Sequence, residues 1–415
     1  MSDAATLPGA APAARISLAA PLGVRNFRTL WLGQSISLVG DEFKFVALSW
    51  LVLSLTGRPG ALGSVLMLLA IPRAMLMLAG GVASDRLRPR TVMLFSDASR
   101  ALVVGAIGVL TLTEHIAMPH LYVLALLFGI VQAFFFPAAA AFTPELVERT
   151  LLPTANAVNQ MTNQIVLIGA PVLAGFAIAA VGSAGGFFVD AVSFLISAAF
   201  LLLIKPGPRP DRPVAQNAWR DLVEGFTVVR RDPVLLAMIA MASVFSFGYA
   251  GATYVGLPVL VKGPLGAGPR ELGVLFAASG LGALIGGLIG GTMRVRRRGL
   301  VGVTLIGAVG ALLAAVSLAQ TVWQGAVLLF GSGALLAWIG ITYITMIQHR
   351  AERAYMGRVM GMLMFGIYGL YPFSYGLAGW ISQAGGVRLL FILGGGLILA
   401  SAMLGVSVRE LRALD

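Results

Sequence analysis

The chain contains no cysteine, so disulfide bridges and thiolate metal sites are excluded at the outset. Histidine is nearly absent as well. Only His115, His120 and His349 occur, and no metal-ligand spacing relates them, so no metal is expected. Charge is scarce: Asp, Glu, Lys and Arg make up 11% of the 415 residues, where a soluble chain carries about a quarter. Neither HExxH nor GxSxG occurs, and no polar stretch is long enough to hold an output domain. An enzyme is therefore not expected, nor any cofactor. The Ala/Pro-rich residues 1–24 lack the apolar core of a cleaved signal peptide.

What is present in abundance is apolar sequence. Hydrophobic residues form 58% of the chain, and the mean hydropathy is +0.90. Twelve apolar stretches, each near the ~20 residues that cross a bilayer, lie at 28–55, 61–83, 91–113, 121–142, 154–181, 184–204, 234–261, 271–293, 300–320, 323–346, 358–382 and 387–407. The expected fold is thus an all-α, multi-pass integral membrane protein with twelve transmembrane helices. The net charge of +12 follows the topology. Of 29 Lys and Arg, 22 fall on the side of the termini, counting Arg28 and Arg358 at the first residues of their spans, four (Arg58, Lys262, Arg270, Arg388) on the other, and three deeper within spans. The positive-inside rule places both termini in the cytoplasm, and the basic surface then faces anionic lipid; no nucleic-acid partner is expected.

Residues 205–217, KPGPRPDRPVAQN, are the one extended Pro-rich polar stretch after the first span, with six spans on either side. The expected organisation is a cytoplasmic segment (1–27), a six-helix bundle (28–204), a linker with an amphipathic helix (205–233), a second six-helix bundle (234–407) and a cytoplasmic tail (408–415). The halves echo each other. GVASDRLRPR (81–90) follows the second span and GTMRVRRRG (291–299) the eighth, as in pseudo-symmetric transporters whose halves rock about a midplane site.

Ionisable groups at membrane depth are expensive, and each is a functional candidate. Asp41 and Glu42 lie near the centre of the first span, where Gln34, Ser37, Asp41 and Lys44 form one polar stripe at helical spacing. Such a stripe is expected to face a water-filled or substrate-filled cavity, although Lys44 can also neutralise Asp41 in a purely structural pair. Arg73, in the second span, is expected to pair with an acid of the first. Asp97 and Arg100 are three apart in the third span, and Asp190 in the sixth has no cation near it in sequence. Phe365, Tyr368, Tyr371 and Tyr375 follow one face of the eleventh span, beside a Pro372 that can bend it, and suit a large, partly polar ligand or plain core packing. Phe245, Phe247, Tyr249 and Tyr254 can extend that wall. Asn156, Asn159 and Asn163 give the fifth span a polar face.

These residues carry a family resemblance over nearly the whole chain. The loop with Gly81, Asp85, Arg86 and Arg90 resembles the loop signature of major facilitator superfamily transporters, with Arg88 and Pro89 standing where a glycine and a basic residue are usual. The resemblance implies that this loop, supported by Asp97 and Arg100, latches the two halves on the cytoplasmic side. GAPVLAG (169–175) is similar to the antiporter element of the fifth helix, through Gly169, Pro171 and Gly175. NFRTLWLGQSISLVGD (26–41), FTPELVERTLLPTANAVN (142–159) and GRVMGML (357–363) resemble the branch with macrolide efflux pumps and enterobactin exporters. The resemblance implies an exporter of an amphipathic small molecule in the bacterial inner membrane, and the protein is expected to be monomeric; the charges at depth, Asp41, Glu42, Lys44, Arg73 and Asp190, are the expected sites of proton coupling or substrate binding. Gln34, Ser37, Asn159, Asn163, Phe365, Tyr368, Tyr371 and Tyr375 would line its cavity. An importer, symporter or lipid transporter on the same scaffold, or a non-transporting membrane sensor or intramembrane enzyme, are the alternatives.

Overall fold

The computed structural model describes residues 17–205, 218–293, 297–352 and 355–412, and of 77–86, 218–222 and 411 the backbone alone. Among the described residues every regular element is a helix, the one open-ended structure that satisfies its own backbone in hydrocarbon. The first half holds α1 (Arg25–Thr56), α2 (Pro59–Arg86), α3 (Pro89–Leu112), α4 (Met118–Leu146) and α5 (Leu152–Leu203). A short α6 (Ala218–Arg231) precedes the second half. There α7 (Pro233–Gly251) runs through a π turn (Ala252–Gly256) into α8 (Leu257–Lys262). Then follow α9 (Pro269–Thr292), α10 (Arg298–Ala315), α11 (Val322–Arg350), α12 (Met356–Tyr368), α13 (Tyr371–Gly385), α14 (Val387–Ser407) and α15 (Arg409–Arg412).

Local chemistry sets the helix boundaries. Proline opens α2, α3, α7 and α9, where its missing N–H costs nothing. Gly57 ends α1 in the left-handed region, at φ 61°. α5 is 52 residues long, about 78 Å at 1.5 Å per residue, which is enough for two crossings. It breaks at Gly182 (φ 74°, ψ 176°), a conformation that L side chains rarely adopt, so the two limbs turn back on each other. Nine helical segments among the described residues are long and apolar enough to cross a membrane. α1 is long enough but carries Asp41, Glu42 and Lys44, and α12 and α13 are 13 and 15 residues separated by Gly369 and Leu370.

Packing divides the helices into two groups. In the first half α1 and α3 lie on α5 and α2 lies on α4; in the second α9 lies on α11 and α14 on both α10 and α7. The groups meet chiefly along α2–α13 and α5–α9, and both seams are built from small residues. A Cβ on Gly63 would stand 2.5 Å from the Tyr375 carbonyl oxygen and 2.8 Å from Gly379 Cα. One on Gly175 would stand 2.5 Å from the Pro269 carbonyl oxygen. Without lipid-excluding force between apolar helices, such close backbone approach is what holds them. Polar links reinforce this end. Gly60 N–H donates to Gln383 Oε1 (3.1 Å), Lys262 donates to Ser54 and lies 4.8 Å over Trp50, and Arg270 lies 4.3 Å over Phe176. The molecule is closed at the Lys262 end.

At the opposite end α6 leans on α12, with Glu224 and Arg358 paired at 2.9 Å and Val229 buried, while Val223 and Phe226 of its apolar stripe stay exposed. Asp232 caps α7, accepting from Val234 N–H (2.9 Å), Leu235 N–H (3.3 Å) and Arg350 Nε (2.6 Å). Partial burial acts to raise the Asp232 carboxyl, but the Arg350 hydrogen bond and the two helix N–H groups outweigh it, and its pKa is lowered.

Two outcomes follow from this packing. Gly63→Val should wedge α2 from α13, at a cost of about 1–3 kcal/mol, and lengthen the distance between spin labels on Arg58→Cys and Arg388→Cys. An unchanged distance distribution would show that the seam tolerates the branch. Asp232→Ala should lower the melting temperature by the loss of a cap, about 1 kcal/mol. Because the folded carboxyl is depressed, that contribution is present above its ordinary value of 3.8 and fades as pH falls below it, so mutant and wild type should converge in acid.

Candidate functional site

The polar stripe of α1 divides on folding. Gly33, Ser37, Gly40 and Lys44 are buried against the second limb of α5, while Gln34 and Asp41 stay half-buried at its border. The stripe as a whole therefore does not face an aqueous cavity, as its periodicity suggested. Gly40 shows why: a Cβ there would stand 2.6 Å from Asp190 Oδ1, so the absent side chain is what lets Asp190 sit against α1. Asp190 is not without a cation either. Lys44 is hydrogen-bonded to Asp41 and stands 3.6 Å from Asp190 Oδ2, while its Nζ lies 4.0 Å over the Phe128 ring. Four helices' worth of intervening sequence hid this partner. Asp190 is fully buried, and Oδ2 has no hydrogen-bond donor beyond that ion pair; Ser193 Oγ reaches Oδ1 at 3.4 Å. Two carboxylates thus share one ammonium. A void about the size of one water lies beneath Lys44, between Leu48, Leu69, Ile107, Leu124 and Phe187, and is too small for an organic ligand. Glu42 is half-buried and has no ion pair among the described residues.

Deeper toward the other end, Asp97 and Arg100 are both buried and paired. Ser197 Oγ donates to Asp97 Oδ2 at 2.8 Å, and the guanidinium is held between Phe135 (4.0 Å) and Phe194 (4.3 Å). Arg90 donates to the Leu201 (2.7 Å) and Leu202 (3.0 Å) carbonyls that end α5. These contacts tie α3 to α4 and α5 within one half. The side chains of Gly81, Asp85 and Arg86 lie outside the described residues.

Arg73 corrects a second expectation. No acid of α1 pairs with it; its guanidinium lies 4.6 Å from the Phe136 ring of α4 and 5.9 Å from the Tyr368 ring of α12. A cation at mid-membrane costs about 3 kcal/mol on insertion scales. Two ring faces offset about 1–2 kcal/mol of that. It bridges the two halves.

Aromatic rings run between the halves, leading away from the Lys262 end. Phe45 of α1 meets Tyr254 (5.3 Å) and Phe276 (5.6 Å) edge-on, Tyr254 meets Tyr375 (5.9 Å), and Tyr375, Tyr371 and Tyr368 follow at 5.6 and 5.4 Å. Phe245 and Tyr249 stack at 5.5 Å. Tyr375 is buried, Tyr371 half-buried, and Tyr368 and Phe365 are exposed, so the wall opens away from the Lys262 end. Asn159 and Asn163 are half-buried and Asn156 exposed. Pro171 and Gly175 belong to the α5–α9 seam, whereas a Cβ on Gly169 would meet nothing within 4 Å. Phe45, Phe128, Phe136, Phe194 and Phe276 were not singled out by sequence; each is one of 22 phenylalanines in apolar helices, with no local signal to mark it.

A family model described as transmembrane secretion effector matches residues 16–415. The chain is 29% identical over 386 residues to the multidrug efflux pump Tap of Mycolicibacterium fortuitum, covering 91% of this chain and 94% of that one. It is 24% identical over 402 residues to macrolide efflux protein A of Streptococcus pyogenes (94% and 97%) and 28% over 343 residues to the enterobactin exporter EntS of Escherichia coli O1:K1 (81% and 80%). Among solved structures, the fold is similar to a point mutant of the nucleoside transporter NupG, with a TM-score of 0.74, 12% identity and coverage of 93% and 100%. It is also similar to a bacterial homologue of the iron transporter ferroportin in an inward-facing state, with a TM-score of 0.72, 15% identity and coverage of 92% and 98%. With a helical bundle in two groups and a family match from end to end, the chain belongs to the transmembrane secretion effectors, a family of major facilitator superfamily transporters.

Proposed function

We propose that the protein is a monomeric secondary exporter of the bacterial inner membrane, with twelve crossings, two six-helix bundles joined through 205–233 and both termini cytoplasmic. It expels an amphipathic organic molecule by alternating access and admits protons in exchange. The observation that carries the proton part is the sharing of Lys44 by Asp41 and Asp190. With both acids ionised the group holds a net negative charge in a dry setting, and a single added proton makes it neutral. Asp41 is its accessible member, with 26% of its side chain exposed against 0% for Asp190.

Proton arrival at Asp41 releases Lys44 toward Asp190, which strengthens the α1–α5 contact at Gly40; proton loss reverses this. The group thereby couples a titration to the packing of a helix whose neighbour, Phe45, touches the second half through Tyr254 and Phe276. Substrate enters from the arginine-rich end, where the aromatic wall opens. Similarity to the efflux pumps Tap and macrolide efflux protein A and to the enterobactin exporter EntS supports export of drug-like or siderophore-like molecules.

In proteoliposomes, Asp41→Asn should abolish substrate efflux driven by a pH gradient while the protein remains monodisperse; intact coupling would remove Asp41 from the mechanism. Lys44→Met leaves buried carboxylate charge uncompensated, a loss of about 3–5 kcal/mol. Its melting temperature should therefore fall well below wild type, and Lys44→Met combined with Asp190→Asn should recover part of the loss. If the double variant melts no higher than the single one, Asp190 is not a partner of Lys44.

A further inference from the structure

Three cations lie within the first-half spans, and two are consumed internally. Lys44 is held by Asp41 and Asp190, and Arg100 by Asp97. Only Arg73 is left without an acid among the described residues, and of the three it alone contacts both halves. A proline or a helix end lies beside it on every side. Pro72 precedes it inside α2, removing an N–H and leaving the Leu68 carbonyl without its helical donor. Phe136, on one side, precedes Pro137 inside α4. Tyr368, on the other, is the last residue of α12, shortly before α13 begins at Tyr371. Broken or proline-interrupted helices at membrane depth are tolerated where they line a cavity, and three meet here. The rings are open to a ligand as well: Phe136 is 40% and Tyr368 45% exposed.

We propose that Arg73 anchors a binding site for organic anions with a flat, lipophilic body, whose carboxylate or similar acidic group pairs with the guanidinium while the body lies against Phe136, Tyr368 and Tyr371. The planar fork of Arg73 matches a two-oxygen acid and keeps its ring contacts while doing so. Lys44 and Arg100 take no part, being buried and already paired. Because the site joins α2 and α4 to α12, an occupied site ties the halves together at the level where they otherwise diverge. The inference rests on the proposed substrate path running between the halves, and it deepens that reading by fixing the charge of the cargo. An anionic lipid headgroup offers the same chemistry.

The test is a binding series on the full-length protein in phosphatidylcholine nanodiscs, with pyrenebutyrate, pyrenebutanol and pyrenebutylamine as matched probes. Binding is read from pyrene anisotropy after subtraction of empty discs. Wild type should bind the acid about tenfold or more tightly than the alcohol, and the amine more weakly still. Arg73→Gln should level acid and alcohol while leaving the alcohol within about twofold of wild type, and Arg73→Lys should keep part of the preference. Absence of an acid preference in wild type, or its persistence in Arg73→Gln, overturns the proposal; the wild-type arm decides even if the Gln variant does not fold. Discs with phosphatidylglycerol separate the two sources. Loss of pyrenebutyrate binding there in wild type assigns the site to lipid and overturns a transported anion, whereas unchanged binding supports it. Asp41→Asn should retain the acid preference, so proton coupling and cargo charge fail independently.

Discussion

The ammonium of Lys44 is the charge on which the first half depends. Two carboxylates from helices far apart in sequence, Asp41 on α1 and Asp190 on the second limb of α5, converge on it inside the bundle, where an unpaired charge is costly. The glycine at position 40 and the break at Gly182 are what bring them together: the break returns α5 alongside α1, and the glycine lets the backbones approach. Phe128 and Phe194 then face the ammonium, and Phe194 also faces Arg100. Two buried ion pairs are in this way joined through a shared ring, and α1, α3, α4 and α5 pack as one electrostatic unit.

The second half is organised by different means. It has no ion pair at depth among the described residues. Its acid in a span, Glu271, is spent on capping α9, accepting from the Gly268 N–H at 2.8 Å. In place of charge it offers close glycine contacts along α9–α11 and a run of aromatic rings on α12, α13 and the π turn after α7. A π turn adds one residue to a helical turn and re-aims the side chains beyond it, which is how Tyr254 comes to face both Phe45 and Tyr375. Buried ion pairs and the run of tyrosine rings are thus segregated, one in each half, and Phe45 and Arg73 are where the two meet.

Much of this was legible in the sequence, for a physical reason. Whether a segment crosses the membrane is a matter of its own transfer free energy, so apolar stretches, the gap between those at 154–181 and 184–204 and the bend near Pro372 can be read locally. Asp41 and Lys44 are three residues apart on one helix, so that pair is local too. What could not be read is which face of a helix meets which neighbour. In lipid both faces are apolar, and hydrophobic periodicity, which marks the core of a soluble protein, carries little information. The partner of Asp190, the absence among the described residues of an acid beside Arg73, and the rings around each cation all depend on such facing.

That same loss of information makes Arg73 informative once its surroundings are seen. A buried cation with an acid beside it is explained by the acid, as Arg100 is by Asp97. Arg73, set between two aromatic faces beside Pro72, Pro137 and the end of α12, has no acid beside it among the described residues and is stabilised there only in part. Under the proposed alternating access, water would supply the rest while that end is open. Closure would remove the water, and the charge would then have to be matched by the cargo or resist the closure. A matching anion would relieve that opposition, and an uncharged molecule of the same shape would not. The proposed anion site thereby ties the proposed transition between access states to the chemistry of the cargo, through contacts of α2, α4 and α12 alone.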